Sequence, residues 1–324
     1  MMRIRVPGNI LLAGEYAVLE EGGLGLCMAV DEYVELDAEA DPPLPGPGNA
    51  EHVFVGIMGG ASAVWTAGRA SDNPLFSAVA AACDRILREA GGPAPDKGSG
   101  LRITVDSRSF QYPDGRKRGL GSSAAICVAV AALLLRGLRD DPAYPDFVFR
   151  SALEGHRAVQ GGRGSGYDVA ASVFGGLGLF SGGRHPSFER LGERDLPEMT
   201  LLRGSRPVSS ADAVRSWEAW KQWDEAAARR YREESDLIVR ELAAADRRED
   251  FIAALHRAAD LGRNIGAAIG VSAVPDDECA ECRDETTGVK ALGAGNELVL
   301  AYSLYPLAGP AIRPAAGGFE WLEE

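Results

Sequence analysis

The stretch KRGLGSSAAICVAVAALLL, residues 117–135, constrains the fold of this chain more than any other. Two glycines and two serines stand ahead of a long apolar run, which reads as a buried helix. The start of a helix leaves its first N–H groups unpaired and carries partial positive charge. Glycines ahead of such a start let the main chain approach a phosphate closely. Ser122 and Ser123 add hydroxyls that suit phosphate or a bound Mg²⁺, and Arg116, Lys117 and Arg118 add positive charge upstream. The spacing is not GxxxxGK[ST], so this is no Walker loop. From these residues alone, a phosphate cradle and a plain turn into a buried helix stay equally open.

At 324 residues the chain has room for one large or two medium domains. Its 46% hydrophobic and 25% charged residues are those of a soluble globular protein. A net charge of -13 argues against nucleic-acid or membrane-surface partners, which reward basic patches. No apolar run reaches membrane-spanning length. The opening MMRIRVPGNILLAGEY lacks the zones of a signal peptide, so a cytoplasmic protein is the expectation. Five cysteines, an odd number and scattered, fit reduced thiols. Cys279 and Cys282 form a CxxC with no second ligand pair, a weak zinc or redox signal. Four histidines, none spaced HxxxH, form no metal cluster.

Hydrophobic periodicity predicts strands over 3–12 and 24–40, the second alternating apolar and polar residues. HVFVGI, LRITVDS, LGLFSGG and ELVLAYSLYPL read as further strands. Helices are predicted from Asn73-Pro74 to the glycines near 91, over 122–138, and over 144–160. After about residue 185 the chain turns charged and helical, with one long stretch from Asp212 to Asp246 and another helix from Asp250 to Gly270. Trp217, Trp220, Trp223, Ala227 and Tyr231 recur at near-helical spacing, the mark of a packing stripe. Strands and helices alternate without a regular βαβ period, which points to α+β in two lobes.

The segment GRGSGYDVAAS holds a second informative residue. Asp168 follows a glycine-rich turn and precedes an apolar helix. A carboxylate there stabilises a helix start, and it is also placed to accept a proton from a substrate hydroxyl.

Order and spacing add to this. PGNILLAGEYAVL, GLGSSAA, GSGYDVAASVFGG and the late GAGNE, taken together, resemble the GHMP kinase superfamily over nearly the whole chain. Within it the chain looks most like the phosphomevalonate kinases, on AGEYAVLE, GSGYDVAASVFGG, PVSSADAV and IGAAIGVSAVPDD ahead of the GAG turn. Mevalonate kinases instead show PSGxDN before the catalytic Asp, and a Mg²⁺-holding Glu where this chain has His156.

The resemblance implies a ribosomal-S5-like, nucleotide-binding N-terminal domain over 1–185 and a ferredoxin-like domain over 186–324, with the active site between them. It implies ATP and Mg²⁺ as cofactors, a phosphorylated small molecule as the other partner, and a monomer or homodimer. Gly119, Leu120, Gly121, Ser122, Ser123 and Ala124 would cradle the ATP phosphates, with Ser123 on the metal. Asp168 and Lys117 would be catalytic. Asn9, Glu15, Tyr16, Arg163, Ser165, Gly293, Ala294 and Gly295 would face the acceptor. The implied reaction is ATP-dependent phosphorylation of 5-phosphomevalonate to 5-diphosphomevalonate. The acceptor is already an anion near neutral pH, so charge steering matters more than a strong base.

Two positions depart from the family pattern. The first motif has Asn9 where relatives carry Lys or Arg, and the third reads GAGNE rather than GAGGGD. An active enzyme then needs a substitute cation, for which Lys117, Arg163 and Lys290 are the candidates on motif position. The other readings are a mevalonate or sugar kinase, and a protein of this fold that binds nucleotide or metabolite without transferring phosphate.

Overall fold

The computed structural model describes residues 1–41, 53–58, 61–66, 74–91, 100–162, 164–206, 210–271, 284–293 and 296–322. In chain order the strands are β1 (Met2–Ala13), β2 (Leu24–Asp41), β3 (Val53–Met58), β4 (Ala61–Thr66), β5 (Gly100–Asp106), β6 (Leu177–Ser181), β7 (Ser187–Arg190), β8 (Glu198–Arg206), β9 (Thr287–Leu292), β10 (Asn296–Ser303) and β11 (Glu320–Leu322). The helices are α1 (Pro74–Glu89), α2 (Ser122–Leu134), α3 (Tyr144–Val159), α4 (Tyr167–Phe174), α5 (Ser210–Trp223), α6 (Glu225–Ala244) and α7 (Arg248–Ile269). The class is α+β.

Two compact units account for the chain, each assembled from separate stretches. One comprises Met1–Gly8, Glu32–Gly175 and Ala316–Glu324, the other Asn9–Asp31 and Gly176–Ala315. This is a different kind of division from a single cut at residue 185.

In the first unit the strands run in the order β11-β1-β2-β5-β3-β4. β3 and β5 pair in parallel, while β2 pairs β5, and β3 pairs β4, antiparallel. The predicted alternation is present where β2 belongs to this unit. Val34, Leu36 and Ala38 are buried, and Glu35 and Glu39 are exposed. Helices α1 to α4 pack on one another. Nine residues of α2 are buried, from Ala124 to Leu133, so the helix is covered on nearly all sides. It ends at Leu134, and the last residues of the predicted 122–138 helix form a separate 3-10 turn, Arg136–Leu138.

In the second unit β8, β10 and β9 form an antiparallel sheet with β10 in the centre; Leu300 lies between Leu201 and Lys290. Leu24–Met28 of β2 pairs with β6, which pairs with β7. The charged segment predicted as one long helix is two. Asp224 interrupts it and caps α6, its Oδ1 accepting from the Ala227 N–H at 2.9 Å. The aromatic stripe packs in part. Trp217 is buried against Tyr16, Trp220 and Tyr231, at centroid distances of 5.6, 5.5 and 5.3 Å, whereas Trp223 is 81% exposed. Trp223 belongs to α5 and stands six residues on from Trp217, about 120° around the helix from it, so its ring leaves the buried face.

Candidate functional site

The glycine turn opens α2 as the sequence implies. Gly119 and Gly121 have φ of 74° and 71°, a region glycine enters without a Cβ penalty. Gly121 is the N-cap, and no side chain caps the helix. The first N–H groups are therefore left for a ligand or solvent. Leu120 and Ala124 are buried, so what they offer here is main chain. Leu120 packs under Gly8, where a Cβ would lie 3.1 Å from the Leu120 carbonyl oxygen. Ser122 is half-buried and Ser123 exposed, in the first turn of the helix.

The upstream cations divide. Arg118 donates to Glu32 Oε1 at 2.6 Å and to the Ser109 carbonyl at 2.9 Å. Arg116 pairs with Asp114 at 2.9 Å. Lys117 is exposed, bridges Gln111 through the main chain, and has no ion pair among the described residues. It is the member of the basic triplet whose charge remains available.

Asp168 sits in the first turn of α4, behind Gly166 as N-cap. Gly166 has φ of 93°, and a Cβ there would meet Leu153 Cδ1 at 2.3 Å, so this turn requires glycine. The Asp168 side chain is 20% exposed. Its Oδ1 accepts from the Val169 N–H at 2.9 Å. Its negative charge also adds to burial in pushing the Cys127 thiol well above its ordinary range.

A histidine joins these two elements. His156, on α3, is 1% exposed. Its Nε2 lies 3.0 Å from Ser123 Oγ and 3.1 Å from Gln160 Nε2. Its Nδ1 lies 3.7 Å from Asp168 Oδ2, an electrostatic contact longer than a hydrogen bond. Next to it, Arg157 donates from Nε to the Gly164 carbonyl at 2.8 Å and from a terminal nitrogen to the Ser165 carbonyl at 2.9 Å, and so holds the turn before Asp168. Neither Arg157 nor Gln160 is flagged by sequence reasoning. Gln160, four residues on, shares the helical face of His156, whereas no spacing marks Arg157.

Among the described residues no cluster of His, Cys, Asp or Glu could hold a metal unaided. The donor set nevertheless fits Mg²⁺ carried on a nucleotide, which takes few protein ligands and keeps phosphate and water oxygens. Ser123 supplies an exposed hydroxyl at an uncapped helix start, with the Asp168 carboxylate on the other side of His156.

The other sequence-derived residues lie as follows. In the second unit, Asn9 is 2% exposed on β1. Glu15 is buried, with its carboxylate on the Lys290 ammonium and its carbonyl accepting from the Tyr231 hydroxyl. Lys290 is 2% exposed and also donates to the Ala291 carbonyl at 3.1 Å. Tyr16, at φ 62°, is held against Trp217. Gly14, Glu15, Tyr231, Ser235, Ala258 and Gly262 line a small cavity. Gly293 closes the turn after β9 with φ of 67°. Arg163, Ala294, Gly295 and the Cys279–Cys282 pair lie outside the described residues. No helix among the described residues is long and apolar enough to cross a membrane.

Comparison with known proteins adds to this geometry. Residues 77–176 match the model of the GHMP kinases N terminal domain. A 189-residue stretch, 52% of this chain, is 33% identical to the phosphomevalonate kinase of Streptomyces sp. (strain CL190). That stretch is 46% of the relative, so the chain spans less than half of its length. Among solved structures, a Lin0012 protein from Listeria innocua superposes with a TM-score of 0.80 at 20% identity, over 100% of this chain and 99% of that one. Streptococcus pneumoniae phosphomevalonate kinase, in complex with phosphomevalonate and AMPPNP, superposes with a TM-score of 0.73 at 17% identity, over 94% and 93%. Helix α2, its glycine turn and α4 all lie inside the segment that matches the GHMP kinases N terminal domain, and the chain shares the fold of the two superposed structures.

Proposed function

We propose that the protein is an ATP-dependent phosphotransferase acting on a phosphorylated small molecule, with 5-phosphomevalonate the favoured acceptor. The observation that carries this reading is the uncapped start of α2, joined through His156 to the carboxylate of Asp168 within one unit. Likeness to phosphomevalonate kinases from Streptomyces and Aspergillus fumigatus favours that acceptor.

Phosphoryl transfer asks a protein for placement and for neutralisation of charge rather than covalent chemistry. The N–H groups of Gly121, Ser122 and Ser123 would hold the phosphates, and Lys117 would lend charge from just upstream. Ser123 Oγ would serve as the protein ligand of Mg²⁺, which when bound neutralises phosphate charge. Asp168 would orient the acceptor, and in a phosphate acceptor it need remove no strongly held proton. Among the acceptor-side residues, Ser165 presents its turn through a carbonyl fixed by Arg157.

The second reading is a binder of nucleotide or metabolite without transfer. It is favoured by the neutral Asn9, by GAGNE, and by Lys290, whose charge is already committed to Glu15. Purified protein with Mg-ATP and a panel of mevalonate, phosphomevalonate and sugar acceptors separates the readings. ADP release with phosphomevalonate alone supports the first. Release with another acceptor moves the assignment within the superfamily, and nucleotide binding with no release selects the second.

A further inference from the structure

We propose that Tyr231 is a positioning residue for the acceptor, its hydroxyl holding a strained turn at Tyr16 and with it the Glu15 carboxylate. This rests on the kinase reading above and adds to it a residue that the sequence marks only as part of a packing stripe. Among the described residues Tyr16 is the only one other than glycine with positive φ, at 62° with ψ of -38°. The turn closes over three residues, the Ala17 N–H donating to the Glu15 carbonyl at 2.8 Å, a form that is rare and strained. Such a conformation persists only where its surroundings over-determine it. The Tyr231 hydroxyl, on α6, donates to that same carbonyl. Burial and the Glu15 charge push this phenol well above its ordinary range, so it remains a donor. On α5, Trp217 stacks on the Tyr16 ring with planes 24° apart, and its Nε1 donates to Glu20 Oε1 at 3.2 Å. From the β2 side, a Cβ on Gly14 would lie 2.3 Å from the Leu24 carbonyl oxygen, so the chain has no slack there.

Strain at this point is not needed to reverse the chain. Gly14 and Gly22, in the same loop, take φ of 101° and 70° without a Cβ, and glycine at position 16 would do the same. The chain instead sets a tyrosine there, and what the turn fixes is the peptide between Glu15 and Tyr16. That peptide places the Glu15 side chain, whose carboxylate lies on the buried Lys290 ammonium. Glu15, Tyr231 and Ser235 line one small cavity with Gly14, Ala258 and Gly262, small residues that leave room beside the polar ones. Without the Tyr231 hydroxyl, the Glu15 carbonyl is left with the Ala17 N–H, the peptide can rotate toward an unstrained φ, and the carboxylate leaves its place at the cavity. The proposed nucleotide contacts lie at the start of α2, in the other unit, so this change would register on the acceptor and not on ATP.

The test has two arms. The first reads the turn by urea unfolding. Tyr16→Gly and Tyr16→Ala both remove the ring, and only glycine accepts the positive φ without strain. Tyr16→Gly should therefore unfold at the higher urea midpoint of the two. In the Tyr231→Phe background, where the turn is free to relax, that advantage should vanish. A Tyr16→Ala midpoint equal to or above that of Tyr16→Gly would show no strain, and an advantage unchanged by Tyr231→Phe would show that the hydroxyl does not hold it. Either result overturns the proposal without reference to turnover. The second arm is kinetic. Tyr231→Phe removes one oxygen and should raise the KM for phosphomevalonate about tenfold, with the KM for Mg-ATP within about twofold of wild type. Equal changes in both KM values, or no change in either, with native circular dichroism, would mean that Tyr231 only packs, and the proposal falls. If the wild type proves to transfer no phosphate, the kinase reading falls, and the urea series still decides whether Tyr231 holds the turn.

Discussion

Lys290 is buried against Glu15, 275 residues away in the chain, with its ammonium on the Glu15 carboxylate. Removing one partner of such a pair leaves the other charge buried and uncompensated, which costs about 3–5 kcal/mol. Lys290→Met and Glu15→Gln should each lower stability in urea unfolding by about that much, and the double variant by less than their sum. Additive losses would show that the two charges do not interact.

The same contact bears on Asn9. With Lys290 paired and Arg163 outside the described residues, Lys117 is the candidate from the sequence that has no ion pair among the described residues. Asn9→Lys should retain or raise turnover, by up to about a hundredfold for about 1–3 kcal/mol of added charge stabilisation. It should also lower the melting temperature, because position 9 is 2% exposed and must bury an ammonium. Loss of an existing activity in a folded Asn9→Lys protein would mean that Asn9 makes a contact of its own with the acceptor.

Asp168→Asn should reduce turnover by about a hundredfold or more and leave ATP affinity nearly unchanged, since the carboxylate lies beyond His156 from the α2 start. Near-normal turnover would reduce Asp168 to a helix-start residue.

Gly121→Val places a β-branched side chain at φ 71° and closes the main chain to an anion. Calorimetry with a non-hydrolysable ATP analogue should find no binding to the folded variant, and weakened Mg-nucleotide binding in Ser123→Ala. Undiminished binding by Gly121→Val would return the segment to a turn with no ligand.

Burial raises the Cys83 thiol from its ordinary 9.0 to about 12. The folded state therefore holds this proton more tightly than the unfolded state. The resulting stability is complete below pH 9.0 and is lost as pH rises toward about 12. Cys83→Ala should be less stable at neutral pH, yet lose less on going from pH 9 to 12 than the wild type. Parallel losses in urea-unfolding curves would show that the thiol is not linked to folding.

The sequence alone determined what depends on neighbours in the chain. The glycine turn, the buried α2 behind it and the turn ahead of Asp168 are local, because positive-φ glycines, helix starts and apolar runs act over a few residues. Motif order along the chain then carried the likeness to the superfamily. The split at Asp224 also had a local cause in its capping side chain, but helical periodicity runs across such a break unnoticed. Tertiary structure alone decided which charges are available and which side chains meet. Arg118 is neutralised by Glu32, 86 residues away, and Lys290 by Glu15 at a separation of 275. Ser123, His156 and Asp168 converge from three helices, and no spacing along the chain encodes the 3.0 Å between Oγ and Nε2. The physical reason is that charge pairing, burial and hydrogen-bond geometry are properties of distance in space, which the chain acquires only when its helices pack.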